Sequence, residues 1–290
     1  MKPRTARGPA RPNASMRPVG RGIAWSVLAL GALLCGCVAL DSPAAAPVRA
    51  PAWEHVAFGT SDADLVGAID LAAIRSDPLF GPIVVQLARK EHLAVLTRAS
   101  QIDVVASVVG GKPASWLVVV HGVDGPPSQR DVGSNTGEIV TAPGAWIFGE
   151  GPAFERMRST PSLASTRVVL PDRALVASTV QGRAFPRPRY AELTDLTEGL
   201  DEATMEILGG AHLEVVLRCR YVDAAAARHA ATAARVALVA AAARTDAVAA
   251  LARALVQLDF DASGDSVSVR LTLSDDLREL LVRYVQRATE

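Results

Sequence analysis

Val256-Gln257-Leu258-Asp259-Phe260-Asp261-Ala262-Ser263-Gly264-Asp265-Ser266-Val267-Ser268-Val269-Arg270-Leu271-Thr272-Leu273 alternates apolar with polar residues on both sides of Ala262-Ser263-Gly264. Val256, Leu258 and Phe260 oppose Gln257, Asp259 and Asp261, and Val267, Val269, Leu271 and Leu273 oppose Ser266, Ser268, Arg270 and Thr272. Successive side chains of a strand point to opposite faces, so this stretch predicts an antiparallel hairpin with one face on a core and one in water. Helix-forming sequence lies on either side of it. Upstream, 18 Ala fall within 224–254; Ala has the best helix propensity, and its small side chain lets neighbours approach closely. Asp223 opens that helical stretch, and Thr245-Asp246 caps a second helix within it. Downstream, Ser274 caps a last helix with Leu277, Leu280, Leu281 and Tyr284 on its apolar face.

Ahead of the Ala-rich stretch, His212-Leu213-Glu214-Val215-Val216-Leu217-Arg218-Cys219-Arg220-Tyr221 puts Leu213, Val215, Leu217, Cys219 and Tyr221 on one strand face. Cys219 is therefore expected to be buried and inert, since a catalytic thiol needs exposure and an activating His or cation beside it. The first half has a similar order. A strand at 64–71 leads into Ser76-Asp77-Pro78, where a capping side chain is followed by Pro, and a helix then buries Leu79, Ile83, Val84 and Leu87. Strands at 102–109 and 115–121 follow, joined by Gly110-Gly111-Lys112-Pro113. Strand 64–71, helix 76–97 and strands 102–109 and 115–121 thus match strand 211–221, helices 223–254 and strands 256–262 and 265–273. The pattern predicts an α+β fold of largely antiparallel sheets with helices on one face, built from two related β-α-β-β halves.

Between these units lie a polar loop at 122–137, strands at 138–141 and 145–148, a short helix at 152–158, and strands at 167–170 and 174–180. Arg183-Ala184-Phe185-Pro186-Arg187-Pro188-Arg189-Tyr190 is basic and Pro-rich. It reads as a solvated connector, with a docking patch for an anionic partner as the sharper alternative. The expected organisation is a leader at 1–36, a Pro/Ala tether at 37–52, an N-terminal half at 53–182, a connector at 183–210 and a C-terminal half at 211–290. The tether contains Pro43, Pro47 and Pro51, and an extended chain of this kind reaches roughly 3 Å per residue, or ~40 Å in all.

Motifs for catalysis and metal binding fail on inspection. Gly110-Gly111-Lys112-Pro113 misses a phosphate loop, because Ala106 stands where the first Gly belongs and Pro113 replaces the Ser/Thr. Asp259-Asp261-Ser263-Gly264 begins like a calcium loop, but its twelfth position is Arg270 where a bidentate carboxylate is required. His55, His92, His121, His212 and His229 are isolated, with no zinc-ligand spacing. There is no Gly-x-Ser-x-Gly elbow. No cofactor, metal or catalytic residue is assigned.

The amino-terminal region is the most specific part of the chain. Lys2, Arg4, Arg7, Arg11, Arg17 and Arg21 precede a charge-free run from Gly22 to Leu40. A basic region, an apolar core and small residues at the exit make an export signal. Nineteen charge-free residues also reach about bilayer length, so an uncleaved anchor is the competing reading; Gly and Ser dilute its apolar centre. Met16 to Gly36 alone has signal-peptide proportions, which makes Met16 an alternative start. Leu34-Cys35-Gly36-Cys37 resembles the lipobox of bacterial lipoproteins. That resemblance implies cleavage of the Gly36–Cys37 bond, lipidation of the Cys37 thiol and acylation of the new amino terminus. It places the lipid bilayer among the partners. Val38 follows Cys37 where Asp typically retains lipoproteins at the inner membrane, so the resemblance further implies an outer-membrane anchor facing the periplasm. The mature pattern also resembles that of predicted lipoproteins of GC-rich bacteria, and it carries no functional residue across.

The chain has 30 basic and 30 acidic residues. Removing 1–36 takes six basic and no acidic residues, leaving 24 against 30 over 254 residues. A mildly acidic chain lacks the electrostatic footprint of a nucleic-acid binder. Only Cys219 would remain as an unmodified thiol, so no intrachain disulfide forms. The expected function is a membrane-anchored envelope lipoprotein that binds or scaffolds another envelope protein or ligand without catalysis. A carrier of an apolar ligand between sheet and helices is the alternative, and a hydrolase ranks below it.

If Cys37 is the modified residue, Cys37→Ala should accumulate precursor and take up no fatty-acid analogue, whereas Cys35→Ala should be processed normally. Two or more acyl chains hold a protein stably where one does not, so the unmutated mature chain should stay in the membrane fraction. Label kept in Cys37→Ala, or lost in Cys35→Ala, would refute the assignment.

Overall fold

A computed structural model of the chain describes residues 63–78, 80–90, 94–109, 112–128, 138–161, 167–184, 195–210, 212–243 and 260–273. Strand β1 (Leu65–Asp70) lies between β2 (Gln101–Val109) and β6 (Ala174–Gln181), antiparallel to both. Outward from β2 come β3 (Lys112–His121), β5 (Ala145–Glu150) and β4 (Ile139–Ala142). Outward from β6 come β7 (Leu200–Leu208), β8 (Leu213–Tyr221), β10 (Ser266–Leu273) and β9 (Asp261–Ser263). Among the described residues the result is one open antiparallel sheet of ten strands, ordered β4-β5-β3-β2-β1-β6-β7-β8-β10-β9. The α+β class with a largely antiparallel sheet is as the sequence predicts, and sheet dominates.

Two aspartates frame β1. Asp64 is buried; it donates its backbone N–H to Ala106 O at 2.9 Å, accepts from the Val108 N–H at 2.6 Å through Oδ2, and pairs through Oδ1 with Arg183. At the other end Asp70 caps α1 (Leu71–Ser76), its Oδ1 accepting from the Ala73 N–H at 2.8 Å. Capping by Asp satisfies a donor that the helix cannot satisfy itself. Asp77 then accepts from the Phe80 N–H at 3.1 Å and opens α2 (Phe80–Lys90). The single helix expected over 76–97 is therefore α2 followed by a short 3₁₀ turn, Ala94–Thr97. Arg75 ties α1 to that turn by donating to Leu96 O at 3.1 Å and Ala99 O at 2.6 Å.

Strand alternation sorts the side chains into two faces. On the first, Ile102, Val104, Val118, Val120, Met205, Val215 and Leu271 join one continuous core with Leu71, Ile74, Ala88, Val95 and Leu96 from the helical segments. Helix α4 (Ala224–Ala242) covers the same face near its far end, where Ala227, Ala230 and Ala231 pack with Tyr221 and Val267. On the second face, Ala68, Val105, Leu117, Val119, Ala145 and Ile147 pack under Ala153, Phe154 and Met157 of α3 (Pro152–Ser159). The expectation of helices on one face is thus corrected. Strands β2, β3 and β5 are apolar on both sides, and a strand buried on both faces needs a cover on each.

Four further expectations change. In the first half β2 sits next to β1 and β3 lies outside it, but in the second half β10 sits next to β8 and β9 is outermost. The β-α-β-β halves therefore do not share a strand order. Eight residues of β10 pair with β8 from Ser266↔Arg220 to Leu273↔Leu213, so the longer strand takes the inner place and the three exposed residues of β9 take the edge. The segment read as a connector contains the nine-residue strand β7. Residues 167–170 lie outside the sheet, although they were expected to be a strand. Cys219 lies on the face predicted for it but is half-buried where full burial was expected, packing beside a cluster whose α4 members are the small residues Ala227, Ala230 and Ala231. The helices expected at 245–254 and 274–290 fall outside the described residues. No described helix is long and apolar enough to cross a membrane.

The approach of α3 depends on Gly149, because a Cβ there would lie 2.6 Å from Trp116 O and 2.9 Å from Phe154 Cβ. Both obstacles are stiff, and overpacking of this kind costs about 1–3 kcal/mol. Gly149→Ala should lower the urea midpoint accordingly without changing the m-value; an unchanged midpoint would show that α3 can retreat freely.

Candidate functional site

The covered half of the second face buries Asp103 and His121 among its apolar side chains. Register pairs Asp103 with Val119 and Gln101 with His121 across β2 and β3, so Asp103 and His121 are diagonal neighbours on one face. Their side chains are 0% and 2% exposed. Burying charge this completely is costly unless every polar atom is paired. Asp103 meets that demand. Its Oδ1 accepts from Gln101 Nε2 at 2.6 Å, while its Oδ2 accepts from the Val168 N–H at 3.0 Å and lies 2.8 Å from His121 Nε2. A carboxylate only accepts, so Nε2 is the protonated imidazole nitrogen in this contact. The Gln101 amide also donates to Val168 O at 2.8 Å.

Both backbone groups of Val168 are therefore held by side chains of β2, and the Val168 side chain is buried in the core beneath α3. The result is a strap across the sheet face, which accounts for 167–170 lying outside the ladder. An imidazole oriented by a carboxylate is also how a general base is built. Here the pair is shut off from solvent and the carboxylate is committed to its donors, so the arrangement fixes the strap and presents no base to a substrate.

Beyond β1 the same face becomes polar. Arg220 lies 2.7 Å from Asp201, Arg218 lies 3.1 Å from Glu206, and Glu214 lies between Arg173 and Arg270 at 3.5 and 3.8 Å. The Arg218–Glu206 contact is an ion pair in which the buried Arg218 Nη1 makes no hydrogen bond. Gln181 donates to Glu202 at 3.1 Å, and the Thr179 and Thr204 hydroxyls meet at 3.3 Å. Acids and bases alternate and balance across these strands, with Glu206 and Thr204 buried and the remaining pairs partly exposed; each partly exposed pair contributes at most about 1 kcal/mol. On the opposite face, Tyr221 donates to Leu196 O at 3.0 Å, and burial, then the neighbouring Cys219, raises its hydroxyl above the usual titration range.

Leu34, Cys35, Gly36 and Cys37 lie outside the described residues, as do His55 and His92. His229 is 3.8 Å from Asp195, and His212 is exposed. Among the described residues no three His, Cys, Asp or Glu come together as metal ligands. Asp261, Ser263 and Gly264 belong to an exposed edge turn. Sequence reasoning missed the Asp103 cluster, although one signal was present: a lone acid inside Ile102-Asp103-Val104-Val105-Ala106.

Removing one partner of a buried ionic cluster typically costs about 3–5 kcal/mol. Asp103→Ala should lose stability on that scale in urea and speed hydrogen exchange at the Val168 amide. His121→Ala leaves the Gln101 and Val168 donors in place, so it should cost less and leave that amide protected. Equal exchange in both variants would show that the imidazole, and not the carboxylate, holds the strap.

No protein-family model matches the chain, and no curated protein matches it either. Among solved structures the chain is similar to TP0453 in its crystal form I (13% identity, TM-score 0.41, covering 84% of this chain and 98% of that one). It is likewise similar to TP0453 in crystal form III (12% identity, TM-score 0.44, 82% and 99% covered). At TM-scores below 0.5 the likeness carries no argument about what this chain does.

Proposed function

We propose that the protein is an envelope lipoprotein, held to a bilayer through acylated Cys37, whose folded part binds or scaffolds another envelope component without catalysis. The observation that carries this reading is Leu34-Cys35-Gly36-Cys37 closing a charge-free run behind six basic residues. The fold adds support of a different kind. Its most catalytic-looking pair, Asp103 and His121, is buried and used to hold the strap at Val168. Its polar half-face carries balanced charge, with Arg173, Arg220 and Arg270 its more exposed members, a character that suits contact with another macromolecule. The outer membrane, facing the periplasm, is the proposed location, in keeping with Val38 after the modified cysteine.

Co-purification from detergent-solubilised envelopes tests the role directly. A stoichiometric partner retained by the full lipoprotein, and lost when Arg218 and Arg220 are both changed to Glu, is the expected result. An apolar ligand recovered in its place would indicate a carrier, and turnover of an envelope substrate by the purified protein would overturn the non-catalytic reading.

A further inference from the structure

We draw no further inference here: the strongest candidate, the apolar patch that Val236 and Val239 leave on the exposed side of α4, is an unpartnered helix face with nothing in the structure to show what covers it.

Discussion

Six residues, Leu65 to Asp70, join the two ends of this sheet. Among the described strands, the ladder joining the β2 side to the β6 side passes through β1, so the sheet is continuous only while β1 keeps its register with both neighbours. The side chains at its ends help to hold that register. Asp64 engages the end of β2 and, through Arg183, the turn after β6, while Asp70 diverts the chain into α1. Gly67 is part of the same constraint, since a Cβ there would lie 3.2 Å from Ser178 Cβ and 3.3 Å from Ala177 O. A short central strand can be stable here because its ends are fixed by side chains in addition to the ladder.

From that joint the sheet changes character. Strands on the β2 side are apolar on both faces and carry helices above and below, whereas strands beyond β6 alternate and leave one face polar. The boundary governs what charge can do. On the covered side, Asp103 is tolerated only because three donors converge on it, and those donors then serve to tie down Val168. On the polar side, Glu206 is buried against Arg218, while the partly exposed Glu214 and Glu202 have neighbours of opposite sign across the strands. The same residue types thus act as a fixed clamp in one half and as a ladder of paired charges in the other.

Much of this was legible in the sequence. Alternation in 266–273, and in 213–221 apart from Val216, marked strands with one apolar face, and the apolar runs at 102–106 and 117–120 marked strands without saying which faces they bury. A helix on each face was not drawn from them; α3 carries little apolar surface, and Ala153, Phe154 and Met157 look modest until Gly149 lets them down onto the sheet. Strand β7 was hidden because Leu200-Asp201-Glu202-Ala203-Thr204-Met205-Glu206-Ile207-Leu208 mixes acids into its polar side beside a Pro-rich segment. The strand order of the second half depends on which arm of the hairpin is long enough to pair with β8, a comparison that alternation does not make. Residues 167–170 have strand-like composition, yet the backbone donors and acceptors of Val168 go to side chains, and local pattern cannot distinguish those partners from a ladder.

The two borders of the sheet have a consequence on a membrane. Strand β4 has four residues and ends at Pro143-Gly144, and β9 has three, opening on Asp261 and exposed throughout. Unpaired strand borders are templates for joining one chain to the next, and shortness and charge are the usual protections. A protein confined to a bilayer surface, as proposed here, meets its own copies by lateral diffusion in two dimensions at densities far above those of a dilute solution. Blunt borders would let such a population remain crowded without polymerising edge to edge into a lattice.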